Sequence, residues 1–287
     1  MSSMSVEPLH ECLGARITGV DLSTPLDDET TVQIQAALDR YSLLCFPNQA
    51  MNDDAQLAFT KRFGEPEPNH VKYGATGVID YFGTVGNVID ANTKKGNDDP
   101  HTRYQTGNNL WHSDSSFRRV PSQYSINHAY EVPGERGETE FASQRYAYDA
   151  LPASTKAEIE PLLILHDYVF SRSQIAPVDP NHAAEMPPVE HKLVRTNPNT
   201  GARNFYAGSH ARTIVGWPGI KSRALIDSLL EHTVKPERIY SHRWQVGDTV
   251  MWDNRCLLHR GTGYDADRWR RMMRQTRVAG LGPTIDE

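Results

Sequence analysis

The sequence predicts a mainly β fold with flanking helices, arranged as a jelly roll, which is a double-stranded β-helix. Most of the chain consists of short runs rich in Val, Ile, Tyr, Phe and Thr, broken by Pro, Gly, Asn and Asp. Helical periodicity is confined to a few segments, and there is no internal repeat or low-complexity tract. We therefore expect residues 1–287 to form a single domain.

The strands are predicted where β-branched and aromatic residues cluster between turn residues. They comprise residues 43–46, 77–82, 124–132, 192–196, 248–252 and 272–278.

Three segments have the spacing of amphipathic helices. Residues 27–41 place Ile34, Ala37 and Leu38 on one face and begin with acids, which suit the positive end of a helix. A second helix is expected to begin after Asn52 as N-cap and to end at Gly64, and a third to cover residues 222–232. Residues 177–188 carry four prolines and predict a surface loop or lid.

Composition excludes several functional classes. The chain has 38% hydrophobic and 23% charged residues, a net charge of −6 and a pI of about 6.1, which argue against nucleic acid as the main partner. No apolar run is long enough to span a bilayer, so no membrane association is expected. The start lacks a signal peptide pattern, and the three cysteines are few and widely spaced, which predicts a cytoplasmic protein.

Two distant motifs supply a set of candidate metal ligands. His112 and Asp114 form an H-x-D pair, which on a strand would place both side chains on one side. His259 lies 145 residues beyond Asp114 and adds a second imidazole. Two imidazoles and one carboxylate are the ligand set of a mononuclear non-heme Fe(II) site with an open face. A chance H-x-D is common, so the interpretation depends on the surrounding residues.

A basic cluster follows the distal histidine. Arg270 and Arg274 are four residues apart and would share one side of a strand. A guanidinium binds a carboxylate bidentately and stays ionised, so one of them could hold a 2-oxoacid and the other an anionic substrate. Thr139 could add a hydroxyl to the carboxylate of the same co-substrate.

The combined motifs resemble the taurine dioxygenase family of Fe(II)/2-oxoglutarate-dependent oxygenases. The matching segments are W-H-x-D-x-x-F from Trp111, T-E-F from Thr139, W-D-N-R-x-x-x-H-R-G from Trp252, and an arginine eleven residues past His259. Within the family the likeness is greatest to the 2,4-dichlorophenoxyacetate and related aryloxyalkanoate dioxygenases, and it runs over nearly the whole chain.

The resemblance implies a role for each matching position. Fe(II) would be bound by His112, Asp114 and His259, and 2-oxoglutarate by Arg270 and Thr139. The substrate-binding residues implied are His70, Lys72, Lys95 (or its neighbour Lys94), Asn108, Trp111 and Arg274. His70 matches the taurine enzymes and Lys72 matches the phenoxyacetate enzymes, so this loop does not decide between the two substrate classes.

The implied reaction uses O2 to hydroxylate a small anionic substrate. For an aryloxyacetate the products would be a phenol and glyoxylate, with succinate and CO2 from 2-oxoglutarate. A sulfonate, a sulfate ester or another carboxylate is the alternative substrate. A non-oxidative metalloprotein that binds anions is the alternative of another class. Family members are commonly oligomeric, so we expect a homo-oligomer.

Overall fold

The computed structural model describes residues 4–68, 81–90 and 93–287, and the statements that follow concern these residues. The strands are β1 (Ser5–Pro8), β2 (Ala15–Thr18), β3 (Leu43–Phe46), β4 (Gly83–Gly86), β5 (Val88–Asp90), β6 (Thr93–Lys94), β7 (Tyr124–Glu131), β8 (Thr139–Ser143), β9 (Leu163–His166), β10 (Val189–Lys192), β11 (Val194–Thr196), β12 (Arg203–Phe205), β13 (Ala211–Ile214), β14 (Ile239–His242), β15 (Thr249–Asp253), β16 (Leu257–Gly261) and β17 (Met272–Val278). The helices are α1 (Asp28–Tyr41), α2 (Asp53–Lys61), α3 (Pro100–Gln105), α4 (Gln144–Asp149), α5 (Ala153–Ile159), α6 (Tyr168–Arg172), α7 (Pro180–Ala184) and α8 (Gly219–Thr233), with short 3₁₀ turns at Thr106–Asn109, Pro236–Arg238 and Thr284–Asp286.

The largest sheet has the strand order β1-β2-β3-β15-β7-β17-β4, and its neighbours are antiparallel except for β2 and β3. We call it the major sheet. Its central strands β3 and β15 are buried at every position, because both faces of the sheet are covered. On the outer face, Ile34 and Leu38 of α1 and Phe59 of α2 pack against the strands.

A three-stranded sheet of order β14-β8-β16, the minor sheet, faces the inner side of the major sheet. Phe141 of β8 packs in one cluster with Trp252 of β15 and Met273 of β17. The rings of Phe141 and Trp252 lie 5.5 Å apart, edge to face. Two facing antiparallel sheets with helices outside are the mainly β jelly roll that the sequence predicts.

The first two helices begin directly after capping residues, of which only Asn52 was predicted as a cap. Asp27 accepts a hydrogen bond from the Thr30 amide at 2.7 Å, and Asn52 accepts one from the Ala55 amide at 2.8 Å. The second helix ends at Lys61, earlier than the predicted Gly64. Gly64 has φ +141°, and a Cβ there would lie 2.8 Å from Val278 Cγ1, so it serves close packing after the helix rather than its cap.

The predicted third helix and most strands are confirmed within a few residues, with three exceptions. Residues 192–196 are two strands, because at Leu193 the backbone leaves β9 and pairs with the chain around Tyr206. Residues 177–188 lie mainly at the surface but include the short helix α7, capped by Asp179. Of predicted strand 77–82, residues 77–80 lie outside the described chain, and β4 begins at Gly83.

None of the described helices is both long enough and apolar enough to cross a membrane.

Candidate metal centre

The two candidate histidine ligands are paired through their backbones. The His112 amide donates to the His259 carbonyl at 3.0 Å, and the His259 amide donates to the His112 carbonyl at 2.8 Å. This isolated antiparallel bridge joins the loop before residue 113 to β16 and brings the imidazole centroids to 4.2 Å. The spacing of the rings is therefore determined by main-chain hydrogen bonds.

Asp114 completes the cluster. Its Oδ1 lies 3.8 Å from His112 Nε2 and 3.7 Å from His259 Nε2. One ligand atom from each of the three residues lies within 4.8 Å of the other two. Such spacing fits ligands that share one metal ion, since metal to nitrogen or oxygen bonds are about 2.0–2.2 Å.

Asp114 lies at the start of a turn and not on a strand, unlike the predicted extended H-x-D pair. Its Oδ2 accepts hydrogen bonds from Ser125 Oγ at 2.6 Å and Gln275 Nε2 at 2.9 Å. Ser113 points away from the cluster and donates to the Leu257 carbonyl. The two donors on Oδ2 leave Oδ1 to face the imidazoles.

The protonation states suit a cation. His112 Nδ1 lies 2.7 Å from the Leu110 carbonyl, which can only accept, so Nδ1 carries the proton and Nε2 has the free lone pair. Burial lowers the pKa of His112 and lowers the pKa of His259 to about 3. Burial alone would raise the pKa of Asp114, but the two imidazoles, Arg277 and Ser125 outweigh it and the pKa is lowered. At neutral pH the cluster offers two neutral imidazoles and one carboxylate.

A buried guanidinium, that of Arg271, belongs to the residue directly before β17. Gln275 on this strand reaches Asp114, and Met273 packs in the inner cluster with Trp252. By the same alternation Arg271 faces inward. It is 5% exposed, and its NH1 donates to the Gly137 carbonyl at 2.6 Å.

Arg271 forms no ion pair with a carboxylate of the described chain, and its buried Nε has no hydrogen-bond partner there. Burial lowers its pKa to about 10, so it remains charged at neutral pH. A buried charge without a counter-ion is costly. An anionic ligand would remove this cost.

Thr139 begins β8 two residues after Gly137, to which Arg271 is bonded. Its Oγ1 accepts from Trp244 Nε1 at 2.9 Å, so its own hydrogen remains free to donate. It shares the inward face of β8 with Phe141, whose ring stacks 6.0 Å from that of His259. Thr139 and the Gly137 carbonyl that Arg271 contacts are thus two residues apart at the start of β8.

The structure places the two predicted arginines on the other side of β17. Arg270 forms an ion pair with Glu131, in which Nε donates to Oε2 at 2.6 Å, and its side chain is 37% exposed. Arg274 Nε lies 3.8 Å from Asp53 Oδ1 at the start of α2, on the outer face of the major sheet. The side chains of Arg270 and Arg274 lie on the same side of the strand, as predicted. The opposite side, which carries Arg271 and Gln275, is the one that faces Asp114. A shift of one residue changes the face in a strand.

Other predicted substrate residues are engaged locally. Trp111 packs with Ala142 and Leu258 of the minor sheet, and its predicted contact with substrate stays a prediction. Asn108 Oδ1 accepts from Arg172 NH2 at 3.3 Å, and Lys95 Nζ pairs with Asp99 at 3.2 Å. His70 and Lys72 lie outside the described residues.

The sequence interpretation missed Arg271, Gln275, Ser125 and Asn254, the last of which accepts from the Asp114 amide. Alternation along β17 puts Arg271 and Gln275 on one side, but no sequence signal tells which side faces the interior.

A second cluster with metal-ligand atoms, Cys45, His242 and Asp248, is buried at the end of β14. Asp248 Oδ2 accepts from the Gln245 amide at 3.0 Å and from His242 Nε2 at 3.1 Å. Burial raises the pKa of Cys45 to about 12, so the thiol keeps its proton. These contacts stabilise the turn after β14.

The family comparison covers nearly the whole chain. The family described as "Taurine catabolism dioxygenase TauD, TfdA family" matches residues 5–276. The chain is 38% identical to the alpha-ketoglutarate-dependent 2,4-dichlorophenoxyacetate dioxygenase of Cupriavidus pinatubonensis, over 96% of this chain and 97% of that protein. It is 35% identical to the (S)-phenoxypropionate/alpha-ketoglutarate-dioxygenase of Sphingobium herbicidovorans, over 97% and 96% of the two chains.

Solved structures agree. The crystal structure of AAD-2 in complex with Mn(II) and N-oxalylglycine superposes with a TM-score of 0.90 at 35% identity, covering 99% of this chain and 100% of that one. The jelly roll, the paired imidazoles beside a carboxylate and the full-length similarity lead to one conclusion. The chain belongs to the taurine catabolism dioxygenase TauD, TfdA family.

Proposed function

We propose that this chain is an Fe(II)- and 2-oxoglutarate-dependent dioxygenase that cleaves the ether bond of aryloxyalkanoate acids, such as 2,4-dichlorophenoxyacetate. The observation that carries the proposal is the cluster of His112, Asp114 and His259, whose ligand atoms lie within 4.8 Å of one another. Two imidazoles and one carboxylate on one side of a metal leave positions for a chelating 2-oxoacid and O2. When bound, Fe(II) with these two reactants supplies the oxidation of a C–H bond.

For the 2-oxoglutarate carboxylate remote from the metal we propose Arg271 and Thr139. Arg271 replaces the predicted Arg270, because its charge is buried and unpaired within the described chain whereas Arg270 is occupied by Glu131. A guanidinium and a hydroxyl donate to a carboxylate with good geometry. The same inner face carries Gln275, which keeps the Asp114 carboxylate in place.

One oxygen atom of O2 enters 2-oxoglutarate, which leaves as succinate and CO2, and the other becomes a hydroxyl on the carbon beside the ether oxygen. The resulting hemiacetal breaks its carbon to aryl-oxygen bond, and the hydroxyl proton passes to the phenol. Glyoxylate is the second product when the acid is an aryloxyacetate. The aryloxyalkanoate class is supported by the activities for which the two relatives are named.

The test is phenol release by the purified chain. We expect 2,4-dichlorophenoxyacetate, Fe(II), 2-oxoglutarate and air to yield the phenol and succinate in equal amounts. The His112→Ala variant should give neither product, since it loses one of three ligands. Its circular dichroism spectrum should match that of the wild type.

The outcome also discriminates between substrates. Succinate formed with a sulfonate or sulfate ester, without phenol from any aryloxy acid, would replace the substrate class and keep the chemistry. Absence of metal binding and of O2 uptake would reject the dioxygenase. His70, Lys72, Lys95, Asn108 and Trp111 remain predicted substrate contacts. A single domain over residues 1–287, a homo-oligomer and a cytoplasmic location also remain predictions.

A further inference from the structure

A buried carboxylate outside the ligand cluster, that of Glu67, is the centre of a hydrogen-bond network. Glu67 is 3% exposed, and its Oε1 accepts hydrogen bonds from Ser115 Oγ at 2.6 Å and Arg277 Nε at 3.1 Å. Arg118 NH1 also lies 3.2 Å from this oxygen. A buried charge requires such partners, and here they connect Glu67 to the turn that bears Asp114.

One arm of the network runs through β17. Arg277 NH1 donates to Gln275 Oε1 at 2.9 Å, and Gln275 Nε2 donates to Asp114 Oδ2 at 2.9 Å. The guanidinium therefore determines the orientation of the Gln275 amide. If the amide flipped, its oxygen would face the Asp114 carboxylate and its NH2 group would face Arg277, and both contacts would be repulsive.

The other arm acts on the backbone. Ser115, the residue directly after Asp114, has φ +54°, in the left-handed region that is uncommon for a serine. Its hydroxyl donates to Glu67, and its side chain is buried. The hydrogen bond compensates the cost of this backbone conformation in the residue that directly follows the Asp114 ligand.

We propose that Glu67 is a positioning residue for the Asp114 ligand, acting through Arg277 and Gln275 on its carboxylate and through Ser115 on its backbone. The inference rests on the proposed metal centre. Groups that orient metal ligands typically change metal affinity or activity by about 10- to 100-fold when they are replaced. Glu67 touches no ligand directly, so the lower end of this range is expected.

The experiment measures Mn²⁺ binding to the metal-free protein by calorimetry, without turnover. Glu67→Gln is nearly isosteric, and its NH2 would occupy the position of Oε2, which has no hydrogen-bond partner among the described residues. It removes the negative charge, so the hydrogen bonds from Arg277 and Ser115 to Oε1 lose the strength that a charged acceptor gives them. We expect the dissociation constant to rise about tenfold. The matched control is Glu287→Gln, since Glu287 also forms an ion pair with a buried arginine. Arg195 Nε donates to Glu287 Oε2 at 3.0 Å. This variant should bind Mn²⁺ as the wild type does.

A double-mutant cycle tests the route. Gln275→Met removes the amide that contacts Asp114, and in this background Glu67→Gln should have a smaller effect on the dissociation constant, because one arm is already broken. If Glu67→Gln does not fold, Gln275→Met and Ser115→Ala test the arms separately, and each should weaken Mn²⁺ binding.

The outcomes separate this inference from the proposed function. Wild-type affinity in Glu67→Gln, or in both Gln275→Met and Ser115→Ala, would overturn the role of Glu67 and leave the metal centre intact. Fully additive effects in the cycle would reject the Gln275 arm. A wild-type chain that binds no Mn²⁺ would reject both proposals.

Discussion

At the scale of single residues, Arg270 and Arg271 are chemically identical neighbours in opposite environments. Arg271 is buried without a carboxylate partner in the described chain, and Arg270 forks Glu131 near solvent. We expect Arg271→Leu to raise the KM for 2-oxoglutarate by about 10- to 100-fold, because a hydrogen bond between charged groups contributes roughly 1.5–3 kcal/mol. Steady-state kinetics at saturating substrate would measure it.

Arg270→Leu is the matched control for this prediction, since it removes the same group one position away. Its KM for 2-oxoglutarate should stay within about twofold of the wild-type value, because an exposed ion pair contributes little. The opposite result, with the larger change in Arg270→Leu, would return the anchor to the residue that the sequence motif indicates.

At the scale of elements, some features of β17 could be predicted from the sequence and others could not. Its bounds, residues 272–278, were predictable from β-forming residues, and so was the common side of Arg270 and Arg274. Which side faces the interior was not, because both parities carry arginines, with Arg271 and Arg277 on the other. That choice is decided by α2, which covers the outer face and pairs Asp53 with Arg274.

The His112, Asp114 and His259 cluster could be predicted because its motifs are chemically distinctive. The position of Trp111 could not, since an aromatic residue beside a ligand suits a pocket wall and a core equally well. Here it packs with Leu258 because residues on β16 alternate, with His259 facing inward and Leu258 outward. Such assignments depend on tertiary neighbours that no local pattern contains.

The segment Thr284–Asp286 is tied to the site region by His191 on β10. His191 Nε2 donates to the Ser116 carbonyl at 2.8 Å, and Nδ1 lies 2.7 Å from Thr284 Oγ1, from which the neutral ring accepts a hydrogen bond. Burial lowers its pKa to about 4, below about 6.5 for an unfolded chain. The unfolded state therefore binds the proton first, and stability falls as pH decreases from about 6.5 to about 4.

We predict that His191 accounts for roughly 3 kcal/mol of this loss in the metal-free protein. His191→Gln should be less stable at neutral pH but lose less stability on acidification than the wild type. Urea unfolding at about pH 7 and about pH 4.5 would measure the difference. The same substitution at His182 on α7 serves as the control for the change from His to Gln. An unchanged slope in His191→Gln would contradict the assignment.

At the scale of the whole molecule, the ligand cluster joins the two sheets. His259 belongs to β16 of the minor sheet, whereas Asp114 is held by Ser125 and Gln275 of the major sheet. A cation bound to His259 and Asp114 would link the two sheets. It should stabilise the folded state by about 2.7 kcal/mol at a concentration of 100 times its dissociation constant. We expect Mn²⁺ to raise the melting temperature by roughly 5 °C.

Scanning calorimetry with and without EDTA would measure this shift. His259→Ala should show almost none, because the minor sheet then provides no ligand. An equal shift in that variant would mean that Mn²⁺ binds elsewhere.

The backbone bridge between His112 and His259 has a consequence for how the centre assembles. Because each amide donates to the other residue's carbonyl, the imidazoles of His112 and His259 are already side by side before an ion binds. Loading then demands little rearrangement, and the empty protein should already protect these two amide protons from deuterium exchange.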